Sequence, residues 1–503
     1  MKTVMINYLA FVGVVAMVAC NKLVEDPGGT IMAGQFYKTQ ADAVAAVNAV
    51  YTTLNSDATG DFPMYGRELN LMTDNASDNQ NFSPSNTNPD VRAMSTITYV
   101  AANGRILKNW QQHYYGINRA NIAIDAISAM PASVFGTAGL QARLVGEARF
   151  VRALLYFNLV RLFGPVPLVL HNPSGVDITA MQVARSSRDS VYAQIVTDLT
   201  AAVGALPGTY GAADVGRASS GAAHALLAKV YVTRRDWADA RAELLKVLPA
   251  GTFAGATGGY GYALLPNFRD VFAKATKNGV EHIFSVEYAT NGGETGATQY
   301  LSLSFTSFNT GTYPIDIPSD SSVSQLFAAG DTRKAVTFYT TQYNAATGQM
   351  VVFSNPYTPY FNKFVDYTIS PLNNQSVSGV NFPVVRYADI LLLYAETLNE
   401  LAGGPTADAY AAINLVRSRA NVAGLTPGLD VAAFRDSVFL ERRKEFVQEG
   451  QRWFDLVRRG GDYYVAAQHR IAQHAAASLT DTLYPIPQTE IQLDPLLTQN
   501  GGW

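Results

Sequence analysis

A long amphipathic segment, residues 140–163, constrains the fold of this chain more than any other feature. Its apolar residues recur at steps of three and four, which places them on one side of an α-helix. They are Leu144, Ala148, Val151, Leu155, Leu159 and Leu162. A helix with such a stripe must bury it against neighbouring elements, so the segment predicts a protein built from packed helices.

The same periodicity recurs along most of the chain. Further helices are predicted over residues 39–54, 106–129, 187–205, 219–248, 384–402, 405–421 and 431–449. Two regions read as a helix, a tight turn at 235–237 or 403–405, and an Ala-rich helix, which is the plan of a tetratricopeptide unit of about 34 residues. Their uneven spacing predicts a degenerate set of helix pairs; generic antiparallel helix pairs are the alternative.

Two regions interrupt the helical pattern. Residues 56–98 are rich in Asp, Asn, Ser and Pro, and residues 280–380 in Thr, Ser, Tyr, Phe, Gly and Pro. We interpret the first as a loop and the second as loops with a few short strands, such as one at 283–286.

The composition excludes two classes of protein. Of the 503 residues, 48% are hydrophobic and 15% charged, which is incompatible with a disordered chain. The formal net charge of −3 and the absence of basic blocks argue against a nucleic-acid partner.

The first twenty residues predict export. Lys2 precedes an uncharged run of 11 residues, 9–19, which has the length of a secretory signal and is too short to span a bilayer. The run ends at Cys20, the single cysteine of the chain, and resembles a bacterial lipobox. We therefore predict a signal peptide over 1–19 and a lipidated N-terminus with a tether over 20–40. An ordinary signal peptide with an incidental cysteine is the alternative.

Catalytic motifs are missing from the sequence. It contains no G-x-S-x-G, no Gly-Lys dipeptide of a P-loop and no H-E-x-x-H, and its six histidines are scattered. One cysteine cannot form an internal disulfide or a Cys-rich metal site. We predict a protein that is not an enzyme and uses no cofactor or metal. A carboxylate pair of the glycosidase type is left open, because 40 acidic residues offer many pairs.

Two charged or polar clusters need an interpretation. The loop 74–79 offers oxygen ligands without the Gly and final Glu of an EF-hand, so a solvated loop is favoured over cation binding. Residues 441–458 predict one helix whose charged face has a structural role. That face carries Arg442, Glu445, Glu449 and Arg452, with Trp453 on the buried side.

Several longer blocks are specific enough to indicate a family. They read GEARFVRALLYFNLVRLFGPVPLV at 146–169, RYADILLLYAETLNE at 386–400, ERRKEFVQEGQRWFDLVRRG at 441–460 and YPIPQTEIQLDPLLTQNGGW at 484–503. Together with NWQQHYYGINRANIAIDAI at 109–127 and CNKLVEDP at 20–27, they resemble the SusD/RagB family of outer-membrane lipoproteins.

The resemblance implies a mainly α fold, a SusD-like α–α superhelix of four tetratricopeptide-like helix pairs with a large, loop-rich, ligand-facing region. It places one SusD-like domain over 41–503. The parts of that domain would be an N-terminal helical part (about 41–250), a loop-rich insertion (about 251–380) and a C-terminal RagB/SusD helical part (about 381–503).

The resemblance also implies a role at the cell surface. Members of the family capture a glycan, or in some cases a peptide, and pass it to a SusC-like TonB-dependent transporter of the outer membrane. A lipid-anchored glycan-binding protein is therefore expected. A peptide-binding member of the same fold is the alternative, and a surface glycosidase lipoprotein is less favoured.

Ligand specificity should lie in the loops that the helices support. Regions 61–99 and 300–367 combine aromatic rings, which stack on sugar rings, with polar side chains that bind hydroxyl groups. We predict that they form one shallow ligand face, although a place in the core is the alternative for each aromatic residue. The representative ligand-binding residues are Phe82, Tyr313, Tyr339, Asp74, Asn79 and Arg92.

Overall fold

The computed structural model describes residues 36–503 except 57, 61, 84–85, 173–180, 291–315, 319–321, 345–348, 353–358 and 370–377. Cys20, the predicted signal peptide, most of the predicted tether and Tyr313 lie outside the described residues, and what was expected of them stays a prediction. Within the described part of the chain, no helix is both long and apolar enough to cross a membrane.

Helices dominate the described residues and follow the predicted periodicity. They are α1 (Gln40–Asn55), α2 (Leu69–Thr73), α3 (Pro89–Thr96), α4 (Gly104–Ala129), α5 (Leu140–Phe163), α6 (Arg188–Ala205), α7 (Ser220–Arg234), α8 (Trp237–Val247), α9 (Ser322–Gln325), α10 (Arg333–Thr337), α11 (Tyr387–Ala402), α12 (Ala407–Arg419), α13 (Val431–Glu445), α14 (Arg452–Arg459), α15 (Gly461–Gln468) and α16 (Gln488–Leu493). The predicted region 219–248 is two helices, because Arg235 ends α7 in the left-handed conformation, with φ 64°.

The long helices pack in pairs along the chain. Helix α4 lies on α5, α5 on α6, α6 on α7, α7 on α8, and α11 on α12. The whole apolar stripe predicted for α5 is buried, each of its six residues being inaccessible to solvent. The mainly α architecture of tetratricopeptide-like helix pairs is thereby confirmed.

The glycine at position 116 permits a close contact between helices. A Cβ atom on Gly116 of α4 would lie 2.6 Å from Cδ1 of Leu155 on α5 and 2.9 Å from Oγ1 of Thr53 on α1. Both distances are shorter than van der Waals contact allows, so the three helices can meet here only because residue 116 lacks a side chain.

Strands in the described residues form two-stranded antiparallel ribbons. They are β1 (Gln80–Phe82), β2 (Val166–Pro167), β3 (Arg185–Ser186), β4 (His282–Val286), β5 (Asp316–Pro318), β6 (Phe338–Tyr339), β7 (Thr341–Asn344), β8 (Gln349–Val352), β9 (Tyr360–Phe361) and β10 (Phe382–Arg386). The pairs are β1–β5, β2–β3, β4–β10, β6–β9 and β7–β8. Short strands within 280–380 are thus confirmed. The helix predicted from 384 begins only at Tyr387, because the preceding residues pair with β4.

The single helix predicted over 441–458 was wrong. Helix α13 ends at Glu445 and α14 begins at Arg452. Between them Gln448 and Gly450 have φ values of 64° and 68°, a left-handed conformation that terminates a right-handed helix. Periodicity missed this turn because the charged residues around it keep helical spacing on both sides.

Residues 56–98 also differ from the loop that their composition predicted, and residues 74–79 are buried where a solvated loop was favoured. Residues 63–81 are buried and include a π-helix (Met64–Glu68), α2 and the first two residues of β1. Some of their polar side chains bind distant parts of the chain; Oδ2 of Asp74, for example, accepts a hydrogen bond from the backbone N–H of Gly450 at 2.8 Å.

C-terminal residues complete the core of the N-terminal half. The hydroxyl of Tyr484 donates to the carbonyl of Met72 at 2.7 Å. The ring of Trp503 stacks on Tyr99 with centroids 5.3 Å apart, and Trp453 stacks on Tyr484 at the same separation. The two ends of the described chain therefore belong to one packed unit.

Candidate ligand-binding face

Pairing of β1 with β5 brings the two predicted loop regions together. Asn81 lies opposite Ile317 in the ladder, and β5 also contacts β9, which pairs with β6. We call the surface formed by strands β1, β5, β9 and β6, with helix α3 beside β1, the ribbon face. It contains Phe82, Arg92 and Tyr339 of the predicted site residues.

Phe82 and Arg92 form the most accessible pair on the ribbon face. Phe82 is half-buried at the end of β1, Arg92 is exposed on α3, and the guanidinium carbon lies 4.7 Å from the ring centroid. Asn88 positions the helix by accepting hydrogen bonds from the N–H groups of Asp90 and Val91. The pair offers a flat apolar surface beside a cationic hydrogen-bond donor.

Tyr339 lies on β6, where side chains alternate between the two sides of the ribbon. Phe338 points inward and stacks on Phe361 at 5.9 Å, in a small core with Val323, Phe327 and Val447. Tyr339 is half-buried, and its ring centroid is 5.6 Å from that of Tyr360. The packing of Phe338 in this small core fixes β6, so that Tyr339 lies on the opposite side of the ribbon.

Asp74 and Asn79 lie beneath the ribbon face and not on it. Their residue exposures are 0% and 1%. Asp74 accepts from the N–H of Gly450, and Oδ1 of Asn79 accepts from Nε of Arg443 at 2.8 Å. Because both side chains bind the protein interior, we leave them out of the ligand-binding face. Among the described residues, no cluster of His, Cys, Asp or Glu could hold a metal ion, so the alternative of a cation at 74–79 gains no support.

Ion pairs of Asp78 connect the loop 74–79 to helices α13 and α14. Its two carboxylate oxygens accept from Nε and Nη2 of Arg452 at 2.7 and 2.9 Å, and Arg443 lies 3.2 Å away. Burial alone would raise the pKa of Asp78, but the Arg443 and Arg452 guanidinium groups hold it well below its ordinary value. The carboxylate therefore stays ionised and the loop stays attached.

A second buried network lies around Arg386, which precedes α11. Its guanidinium group donates to Glu281 at 2.9 Å, Glu445 at 2.6 Å and Glu449 at 2.8 Å. Nζ of Lys363 donates to Glu449 at 2.9 Å, and burial lowers the pKa of this lysine to about 8. The charges of 442–452 thus have the predicted structural role, but they are buried and do not form the predicted helical surface.

One exposed aromatic residue of this region was missed by sequence reasoning. Tyr367, in the turn after β9, is 57% exposed, and the guanidinium group of Arg269 lies 5.4 Å from its ring centroid. It is near the end of the predicted 300–367 region, but its local sequence has no strand alternation or turn motif that would have singled it out.

Two family models match the chain. One, described as the SusD family, matches residues 321–503, and the other, described as "starch-binding associating with outer membrane", matches residues 34–232. Together they cover most of the helical scaffold, with residues 233–320 lying between the two matches. The chain belongs to the SusD/RagB family.

Individual SusD-like proteins agree with this assignment over nearly the full chain. SusD-like protein P2 of Formosa agariphila is 27% identical over 521 residues, 97% of each chain. A SusD homologue of Bacteroides thetaiotaomicron has a TM-score of 0.78 at 24% identity, covering 94% of this chain and 99% of its own. A laminarin-binding SusD-like protein has a TM-score of 0.76 at 26% identity, covering 93% and 100%. The expected SusD-like fold is confirmed.

Proposed function

We propose that this SusD/RagB protein binds an oligosaccharide on the ribbon face. The observation that supports the proposal is the β1–β5 ribbon: β1 carries Phe82 with Arg92 beside it, and β5 contacts β9, the partner of the strand that carries Tyr339. The similarity to a laminarin-binding protein of the same fold supports a glycan as the ligand.

The chemistry of the face suits a sugar chain. The C–H groups on one side of a pyranose ring can lie against the partly exposed ring of Phe82, while Arg92 donates hydrogen bonds to hydroxyl groups. The side chains beneath are held by the Asp78–Arg452 ion pair, so the face is organised before the ligand arrives. Because an open face leaves much of the ligand in water, we expect affinities in the micromolar to millimolar range.

We further propose a location and a partner. Lipidation of Cys20, removal of residues 1–19 and a tether to residue 40 would anchor the domain at the outer membrane, facing the cell exterior. There it would pass its ligand to a SusC-like TonB-dependent transporter. The outer-membrane description of one matching family model and the SusD/RagB membership support this part of the proposal.

We propose binding without catalysis. One solved SusD-like protein is described as laminarin-binding. A surface glycosidase would instead release new reducing ends from its substrate. Incubating the purified protein with laminarin and amylose and assaying reducing sugar separates the two functions; a steady rise in reducing ends would establish the glycosidase.

The binding site is tested by substitution. Phe82→Ala should weaken laminarihexaose binding about tenfold, because burying a phenylalanine side chain contributes about 1.5–3 kcal/mol when complete and a shallow site buries part of it. Triple replacement of Phe82, Tyr313 and Tyr339 by alanine should abolish binding measured by isothermal titration calorimetry, with the melting temperature unchanged.

Helix α4 supplies a matched control. Tyr115 is 40% exposed there, and the guanidinium group of Arg119 lies 5.0 Å from its ring centroid, the same kind of pair on a different surface. Tyr115→Ala should bind like the wild type. If the triple variant retains full affinity, the ligand binds elsewhere. A wild-type protein that binds a peptide panel and no glycan would favour the peptide-binding alternative.

A further inference from the structure

A cavity that is separate from the ribbon face lies within the helical scaffold. It has a volume of about 310 Å³ and is lined by residues of α5, α6, α7, α11, α13 and α14. This volume is at the lower end of the range for small-molecule pockets, which start at about 300 Å³. We call it the arginine cavity because of the side chains Arg161, Arg188, Arg442 and Arg458 in its wall.

The wall carries more positive than negative charge. Three of its cations are neutralised by carboxylates: Lys229 pairs with Asp389, Arg442 with Asp389 and Asp455, and Arg458 with Asp455 and Glu396. Three carboxylates thus face three cations. The remaining two cations, Arg161 and Arg188, have no carboxylate within 4.0 Å among the described residues.

Arg161 is held in place without being neutralised. Its side chain lies between two aromatic rings, 3.7 Å from the centroid of Phe157 and 3.6 Å from that of Phe454. Nε donates to the carbonyl of Phe157 and Nη2 to Oδ1 of Asn158, which leaves Nη1 without a hydrogen bond to any described residue. Burial lowers the pKa of Arg161 to about 10, so it remains a cation at neutral pH.

A neutral hydrogen-bonding group adds to this arrangement. Tyr192 lines the cavity with 4% residue exposure, and its buried hydroxyl has no hydrogen-bond partner in the described part of the chain. An orphaned buried hydroxyl costs free energy unless a ligand or water satisfies it. Leu393 and Trp453 complete the lining with apolar surface.

We propose that the arginine cavity binds a small organic acid of monosaccharide size, with its carboxylate at Arg161 and Arg188 and its ring against the apolar wall. Guanidinium groups suit carboxylates because the hydrogen bonds are charge-assisted. Exposed Arg188, the first residue of α6, draws the anion in, and Arg161 with the Tyr192 hydroxyl binds it. This site goes beyond the proposed oligosaccharide face, with which it shares no residue.

Calorimetric titration with D-glucuronate and D-glucose, which differ only at C6, tests the proposal. The wild type should bind glucuronate and not glucose. Arg161→Met should weaken glucuronate binding at least tenfold, since a hydrogen bond to a charged group is lost. Arg188→Gln should weaken it several-fold, and 0.5 M NaCl should reduce the affinity of the wild type.

Two controls keep the test decisive. Arg470→Gln changes another exposed arginine without an ion-pair partner among the described residues and should leave glucuronate affinity unchanged. The Phe82→Ala, Tyr339→Ala double variant should also bind glucuronate normally, which separates this cavity from the ribbon face. If Arg161→Met fails to fold, Arg188→Gln decides, because its side chain is exposed. Equal binding of both sugars, no binding of glucuronate, or unchanged affinity in Arg188→Gln would overturn the proposal.

Discussion

Arg452 and Asp78, which are 374 residues apart in the sequence, form a bidentate ion pair with nitrogen–oxygen distances of 2.7 and 2.9 Å. Both residues are buried, with exposures of 3% and 1%. The pair ties the loop beneath the ribbon face to the first turn of α14. The position of β1 on the ribbon face therefore depends on an ion pair between two buried residues.

Removing one member of this pair should destabilise the protein strongly. Arg452→Ala would remove the bidentate partner of the buried Asp78 carboxylate, and breaking a buried pair costs about 3–5 kcal/mol. Urea unfolding should show this loss in the free energy of unfolding. Arg435→Ala is the control, because its pair with Glu400 is partly exposed and should contribute about 0–1 kcal/mol. Normal unfolding of the Arg452 variant together with lost ligand binding would instead make this block part of the site.

Gly116 and Gly204 should respond to alanine in opposite directions. At Gly116 the new methyl group would overlap Leu155 and Thr53, and overpacking of this kind costs about 1–3 kcal/mol. At Gly204 in α6 no atom lies within 4 Å of the added Cβ. There alanine should stabilise by about 0.4–1 kcal/mol, because it restricts the unfolded chain. Thermal melting of the two variants checks both signs, and similar shifts would contradict the described contact between α4 and α5.

His113 should make stability fall on mild acidification. Its side chain is inaccessible in α4, where Nδ1 donates to the carbonyl of Asn109 at 2.7 Å, and burial lowers its pKa from 6.5 to about 4. The unfolded chain therefore takes up the proton first, and the free energy of unfolding should drop by about 2 kcal/mol between pH 7.5 and 5. His113→Leu should flatten this decline in urea titrations at the two pH values. An equal decline in the variant would show that other groups cause it.

Lipidation of Cys20 should determine whether the protein is found in the membrane fraction. Cys20→Ala should release it from the membrane fraction, because each lipid methylene buried in a bilayer contributes about 0.8 kcal/mol and no described helix can span a membrane. Cell fractionation with immunoblotting is the measurement. A variant that remains in the membrane fraction would contradict lipid anchoring at this residue.

The sequence predicted the helices well, because their evidence is local. The stripe of α5 and the turns after α7 and α11 can be seen within twenty residues of sequence. The buried networks could not be predicted in this way, because each charge has a partner far along the chain: Arg386 meets Glu281, which is 105 residues away, and Glu445, 59 residues away. Helical spacing therefore indicated a charged surface where the structure has a buried network.

The candidate site was likewise predictable where the evidence is local and not where it depends on distant residues. Phe82 and Tyr339 were predicted as loop residues of a ligand face, and the structure has both on short strands of the ribbon face. Asp74 and Asn79 have the same polar surroundings in sequence, but they are buried, since Gly450 and Arg443 bind them. Composition does not show whether a polar side chain is hydrated or is hydrogen-bonded to residues that are distant in the sequence.

The hydrogen bond from Tyr484 to Met72 has a consequence for the timing of folding. The two residues are 412 positions apart, and at a synthesis rate of about 5–20 residues per second the second is made about 20–80 s after the first. During that interval the carboxylate of Asp78 has neither Arg443 nor Arg452 to neutralise it, and the N-terminal helices have no Tyr484 or Trp503 to close their core. The N-terminal half cannot reach its native state until translation of the C-terminal residues is complete. Late completion of the core suits the export that we propose, because a chain that has not yet folded can pass through a secretion channel.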